Sequence, residues 1–319
     1  MSSMKCGDTF RFRGASMNVL TFDVEDWFHV LDDPSGEDVA SWSARESRID
    51  RNVDRVLSLL VDEGVRATFF CLGWIAEQHP AAVRRIDAAG YEVGSHSFGH
   101  RAVTRLSRIE FAQDLNRSIA ALEQVTGKKV RAYRAPGFSI TDSTAWAFET
   151  LIENGIEIDC SLSPSHYGKT GDALAHGPLW IECAAGRLKE LPASGVHWGN
   201  IDLASASSGY FRLLPYALTS SLVKRSTYSM SYFHPRDFDM DQPSLKTLSP
   251  WRRFKGRVGL RSALAKLHRL LDEFAFVDVG EAVERVDWGA AKCIRTGVIS
   301  GSFEPEGVIR CAYGPSGGE

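Results

Sequence analysis

The chain of 319 residues contains no apolar run that approaches a membrane span, which takes about 20 consecutive apolar residues. Basic residues are not in excess either: 37 Lys and Arg stand against 40 Asp and Glu, for a net charge of −3. With a pI near 6.3, the electrostatic footprint of a nucleic-acid binder is missing. Cysteine is sparse. Six residues without any Cys-x-x-Cys spacing argue against a disulfide framework in a chain of this length. Met1 to Ser16 is polar and has no apolar h-region, so it does not read as a secretory signal. We expect a disordered lead-in over 1–16 and a cytoplasmic address. Helical and strand periodicity fade beyond Trp288, where a Gly-rich stretch predicts a disordered tail over 289–319.

What is present is ordinary in amount, 44% hydrophobic and 24% charged, and suits one large α/β domain over 17–288. Short β-prone runs alternate with amphipathic stretches. Ile49, Val53, Val56, Leu57 and Leu60 make a helical stripe that Gly64 closes. Strands are expected at 18–22, 65–72, 91–95, 130–133, 156–158, 188–191, 228–233 and 276–279. Helices are expected at 75–89, with a break at His79-Pro80, and at 108–125, 142–153, 213–224 and 258–274. Residues 164–186 read as a long loop or hairpin. Strand-helix alternation with polar clusters at successive strand ends predicts a parallel sheet, closed into a barrel so that five such ends meet.

The polar clusters carry the chemistry. His96-Ser97-Phe98-Gly99-His100 lies between a strand and a Ser107-x-x-Glu110 capping box, where α/β proteins assemble their sites. A bare His-x-x-x-His pair is a common loop feature, and neutral imidazole is also the commonest zinc ligand. The first strand ends in Asp23-Val24-Glu25-Asp26-Trp27, an acidic cluster between aromatics that an ion would balance. One carboxylate with His96 and His100 makes a three-ligand metal site with an open position, and a second can serve as general base. His29, His79, His176, His197 and His268 read as surface or structural groups, and His166 as a loop residue.

Five motifs in this order resemble the polysaccharide deacetylases of the NodB-homology type (carbohydrate esterase family 4). They are Thr21-Phe22-Asp23-Val24-Glu25-Asp26, the two-histidine loop, Arg134-Ala135-Pro136-Gly137, Asp159-Cys160-Ser161 and Ser231-Tyr232-Phe233-His234-Pro235. The Asp-Val-Glu-Asp-Trp form is similar to the branch associated with exopolysaccharide loci. The resemblance implies a distorted (β/α)7-type barrel, a divalent metal (Zn2+, or else Co2+, Ni2+ or Mn2+) and removal of N-acetyl groups from N-acetylhexosamine units. It implies Asp23 as catalytic base, Arg134 as its orienting partner, His234 as general acid and Asp159 as support for His234. His96 and His100 match metal ligands, with either Glu25 or Asp26 as the acidic third. Gly137 offers a backbone N–H to an oxyanion, and Phe138 and Trp180, with Trp27 and Trp198, are candidate sugar platforms. The partner so implied is an N-acetylated glycan. With no secretory signal read, that glycan is expected inside the cell as a polymer or a lipid-linked precursor, and the basic run Arg252, Arg253, Lys255 and Arg257 offers a contact with the inner membrane face. An amidohydrolase for small non-sugar amides and a non-catalytic carbohydrate-binding relic are the competing readings.

Overall fold

A computed structural model describes residues 16–296 except 32, 34–35, 37, 164–176, 199–200 and 205–207, and gives 195–198 and 201–204 as backbone only. The expected lead-in, most of the tail, His166, His176 and the side chains of His197 and Trp198 therefore lie outside the described residues.

The strands are β1 (Met17–Val24), β2 (Thr68–Cys71), β3 (Glu92–Ser95), β4 (Ala132–Tyr133), β5 (Ile158–Asp159), β6 (Leu179–Cys183), β7 (Gly186–Glu190), β8 (Gly195–Trp198), β9 (Ile201–Ala204), β10 (Tyr228–Phe233) and β11 (Lys292–Arg295). Seven of them run parallel in the order β10-β1-β2-β3-β4-β5-β7. β6 joins β7 as an antiparallel hairpin and β11 extends it. β8 and β9 form a separate hairpin. The seam between β7 and β10 is closed by side chains. Tyr228 Oη donates to Pro192 O at 2.8 Å, and Met230 N donates to Ser194 Oγ at 2.9 Å.

Period-2 alternation sorts the strand residues into two cores. Met17, Val19, Phe70, Ala132, Ile158, Cys160, Tyr228 and Met230 meet in one buried cluster inside the ring. Leu20, Phe22, Val24, Phe69, Cys71, Tyr133 and Phe233 face outward into the larger cluster beneath the helices. That the inner cluster draws on five strands, from β10 and β1 round to β5, is what makes the sheet a distorted barrel, as expected.

The helices are α1 (Ile49–Glu63), α2 (Gly73–Gln78), α3 (Pro80–Ala88), α4 (Arg108–Thr126), α5 (Trp146–Glu153), α6 (Ser208–Leu213), α7 (Tyr216–Arg225), α8 (Pro250–Arg257), α9 (Leu260–Glu273) and α10 (Val279–Arg285). In α1 the stripe residues Ile49, Val53, Val56, Leu57 and Leu60 are all buried, and Gly64 adopts φ 63°. The Ser107–Glu110 capping box is made in both directions. The helices expected at 213–224 and 258–274 are α7 and α9, and each is preceded by a short helix that was not expected, α6 and α8. Pro215 separates α6 from α7, and Gly259 (φ 72°) separates α8 from α9. Val277 pairs with Val19 as an isolated bridge rather than as a strand. β11 falls inside the stretch expected to be disordered, so ordered chain continues past 288.

Candidate active site

Every strand that contributes to the site does so by continuing its inward register one or two residues past its C-terminal end. β1 points Met17, Val19, Thr21 and Asp23 inward, and Glu25 follows. His96 follows Gly94, Arg134 follows Ala132, and His234 follows Met230 and Tyr232. Around one mouth of the barrel their side chains meet, Asp23, Glu25, His96 and Arg134 buried and His234 partly exposed.

Glu25 Oε1 lies 2.7 Å from His100 Nε2 and 3.3 Å from His96 Nε2. The ligand atoms of the three residues lie within 4.8 Å of one another. His96 Nδ1 is 2.9 Å from Arg134 O. A carbonyl only accepts, so that nitrogen carries the proton and Nε2 presents its lone pair, the tautomer a metal requires. Burial opposes ionisation of Glu25, but His100, His234 and Arg236 hold its carboxyl well below the usual range. Burial also lowers the pKa of His100, against the pull of Glu25. A buried carboxylate oxygen facing the Nε2 atoms of two buried imidazoles is a donor set that fits a divalent cation.

The histidine loop is held in a costly shape. Ser97 and His100 have φ of 72° and 50°, a left-handed conformation that costs about 1–2 kcal/mol for most residues. Asp114 of α4 holds it, accepting from Phe98 N at 2.8 Å and Gly99 N at 2.9 Å. Ser97 Oγ accepts from His100 N at 3.1 Å. No motif marks Asp114, and sequence reasoning missed it.

Asp23 and Arg134 form the second group. Arg134 Nη1 donates to Asp23 Oδ1 at 2.7 Å and to Thr21 Oγ1 at 2.9 Å, and Nε reaches Cys160 O at 3.3 Å. The guanidinium lies over the Phe70 ring, 4.3 Å from its centroid. After it, Gly137 (φ 62°) and Phe138 (φ 53°) make a left-handed turn. Glycine suits that positive φ, and a Cβ there would push the end of the Leu31 side chain, 2.5 Å away. Phe138 packs edge-on against Tyr232 with centroids 4.8 Å apart.

His234 completes the cluster. Its Nε2 faces Glu25 Oε1 at 3.6 Å, while Nδ1 lies 3.1 Å from both Asp237 Oδ2 and Ser208 Oγ. Burial works against protonating His234, but Glu25 and Asp237 outweigh it and raise its pKa. Burial opposes the charge on Asp237 too, yet Arg212 (3.3 Å) and His234 bring its pKa far below the ordinary value.

Residues 15–152 match the family model described as polysaccharide deacetylase. This match identifies a polysaccharide deacetylase domain in the N-terminal part of the chain. Residues 160–284 match a domain of unknown function, DUF3473. A peptidoglycan deacetylase of Helicobacter pylori is 25% identical over 189 residues, 58% of this chain and 61% of that one. A peptidoglycan-N-acetylglucosamine deacetylase of Bacillus cereus is 29% identical over 96 residues, 30% of this chain and 35% of that one. The chain thus spans between about a third and three-fifths of the length of these relatives. A solved structure from Mycobacterium smegmatis, described as a candidate polysaccharide deacetylase, shares the fold. Its TM-score is 0.59 at 20% identity, over 89% of this chain and 95% of that one.

Three sequence expectations are redrawn by the structure. Asp26 is not with the histidines. It follows Glu25 on the opposite register, and its carboxylate accepts from Trp27 N (2.9 Å), Ser47 Oγ (2.7 Å) and Arg48 N (2.8 Å). Asp159 does not support His234. Ile158 and Cys160 take the inward register, so Asp159 points behind the sheet, where it accepts from Ser161 Oγ and lies beside Glu190. Asp237, three residues after the histidine, supports it instead. Trp180 donates Nε1–H to Trp288 O at 3.1 Å and packs on that ring, not on a site residue. Conversely His29, read as structural, is fully buried and accepts from Asp26 N at 3.0 Å.

Proposed function

We propose that this polysaccharide deacetylase is a metal-dependent hydrolase that removes N-acetyl groups from N-acetylhexosamine units of a glycan. The observation that carries the reading is the placement of a Glu25–His96–His100 donor set between two pairs of different task, Asp23–Arg134 and His234–Asp237. Glu25, His96 and His100 would hold a divalent cation, which when bound polarises the acetyl carbonyl and acidifies water. Asp23, oriented by Arg134, accepts the proton of the attacking water. The Gly137 N–H, presented by the left-handed turn, donates to the carbonyl oxygen as it gains negative charge. His234 enters protonated, held so by Asp237, and gives the Nε2 proton to the sugar nitrogen as the C–N bond breaks. Acetate and a free amine leave. Phe138 and Tyr232 offer the aromatic wall for a sugar ring.

The test is acetate release from N-acetylglucosamine oligomers, after chelation and after restoring single metal ions, with acetylated polyamines as the comparison. Release from the sugars that chelation abolishes and metal restores is the expected result. Turnover of polyamines alone would assign the small-amide reading instead.

We further propose that the glycan is met at an anionic membrane face. Trp251 and Phe254 of α8 are 63% and 53% exposed and stack at 5.6 Å, beside the exposed cations Arg253, Lys255 and Arg257. The fourth cation of that run turns inward: Arg252 Nη2 donates to Leu31 O at 2.6 Å.

A further inference from the structure

Beside the catalytic mouth lies a second cavity of about 170 Å³, between the loop after β1, residues 242–248 and α8. It shares a wall with the site through Arg236, which holds Glu25 Oε2 at 3.0 Å, and Asp237, which holds His234. Among the described residues, five arginines line it (Arg212, Arg236, Arg252, Arg253 and Arg257) against a single carboxylate, Asp237. The chain as a whole carries a net charge of −3, so this concentration of one sign is local.

The arginines are not equally committed. Arg212 is spent on Asp237 and on the carbonyls of Ser208 and Gly256. Arg236 donates to Glu25, and Arg257 gives one N–H to Gln242 O at 3.1 Å. The Arg253 guanidinium has no partner among the described residues. A guanidinium carries five N–H donors in a planar fork that matches a carboxylate or a phosphate. Arg253 and Arg257 therefore keep most of their donors available on one side of the cavity. Trp27, Leu245 and Leu248 line the other. Like charges gathered around a partly apolar hollow repel one another, and an anion seated among them reverses that cost.

We infer that this cavity is a subsite for an anionic substituent, phosphate or carboxylate, carried by the glycan near the N-acetyl group that is cleaved. The inference rests on the deacetylase reading for its substrate. The donor geometry serves either anion. A sugar phosphate, as at the reducing end of a carrier-linked glycan, and a uronic or lactyl acid are the two sources.

The experiment compares acetate release from a neutral N-acetylglucosamine oligomer with release from the same oligomer bearing a terminal phosphate or a terminal uronate. These are measured for the wild type and for Arg253→Gln/Arg257→Gln. The wild type should show a kcat/KM at least tenfold higher for one or both anionic substrates, a preference that shrinks with added salt. The double variant should lower the anionic-to-neutral ratio about tenfold. Which anionic arm gains identifies the source. Equal kcat/KM for all three substrates in the wild type, or a ratio unmoved in the variant, overturns the subsite. If no substrate releases acetate the deacetylase reading fails separately. Calorimetry with N-acetylglucosamine-1-phosphate and glucuronate, against N-acetylglucosamine, then decides the cavity. Anion binding lost in the double variant supports the subsite, and its absence in the wild type overturns it.

Discussion

Arg134 Nη1 stands 2.7 Å from Asp23 Oδ1, and both side chains are buried. A buried ion pair stabilises little compared with apolar replacements, but removing one member strands the other. The pair therefore makes sense as an orienting device: Thr21 Oγ1 and Cys160 O fix the guanidinium, and the guanidinium fixes the carboxylate. Asp23→Asn should keep the fold and the metal while kcat falls about 10²–10⁴-fold, because an amide cannot take a proton from water. Arg134→Leu should cost about 3–5 kcal/mol in stability from the unpaired Asp23. Thermal melts beside steady-state kinetics separate the two effects. An Asp23→Asn enzyme with wild-type kcat would remove it as the base.

The two neighbouring carboxylates should separate cleanly. Glu25→Gln, like His96→Ala, should lose the metal, with affinity falling at least tenfold to a hundredfold. Asp26→Asn should retain it, since its carboxylate is bonded to the 47–48 turn, and should lower stability by about 1–2 kcal/mol. Metal content after dialysis is the readout, and metal lost from Asp26→Asn but kept by Glu25→Gln would reverse the assignment.

Asp237 should set the alkaline limb of the pH profile. The carboxylate favours the charged imidazole of His234, so Asp237→Asn lowers the pKa of the acid. Activity that depends on protonated His234 is present below that pKa and lost above it. The limb therefore moves to lower pH in the variant, and kcat at pH 8 falls more than kcat at pH 6. A profile that only scales down, without moving, would give Asp237 a purely structural part.

The order of the motifs made the barrel and five of its site residues legible: Asp23, His96, His100, Arg134 and His234. Strand register could have settled more. Asp23 and Glu25 share the parity of Met17 and Val19, so period-2 reading of β1 alone favours Glu25 over Asp26 as the ligand. The same reading sends Asp159 to the far side from Ile158 and Cys160. What stayed hidden depends on tertiary contact. Asp114 reaches the histidine loop from a neighbouring helix, and Arg212 reaches Asp237 across 25 positions. The short helices α6 and α8 were missed too: α8 buries none of its residues, so it carries no apolar stripe to read.

If α8 meets an anionic surface, its stacked aromatics should matter as much as its cations. Trp251→Ala/Phe254→Ala should reduce sedimentation with phosphatidylserine vesicles several-fold at low salt and leave acetate release from short soluble oligomers in place. Wild-type protein that fails to sediment with such vesicles would end the proposal.

The last prediction concerns two carboxyls that the chemistry does not use. Asp159 of β5 and Glu190 of β7 are register partners, both fully buried. Asp159 Oδ2 and Glu190 Oε2 have no donor of their own, so a proton between them satisfies both. Burial is the main cause that pushes Asp159 up to about 6, and burial beside Asp159 holds Glu190 well above its ordinary value. The pair matters to the site indirectly. Asp159 accepts from Ser161 Oγ, which accepts Ala135 N–H at 2.8 Å at the start of the Gly137 turn. Unfolded, the two carboxyls release their protons near pH 4. Folded, they hold on longer, so the native state binds more protons and its stability falls as pH rises from about 4 through 6 and beyond. Glu190→Gln is neutral at every pH, can accept from Leu162 N as Glu190 Oε1 does at 3.0 Å, and can donate to Asp159. It should match the wild type near pH 4 and exceed it at pH 8 by about 1–3 kcal/mol, a rise in Tm of several degrees with a flatter dependence on pH. Tm against pH for both proteins is the measurement. A variant less stable than wild type at pH 8, or one with the same slope, would show that the two carboxyls share no proton.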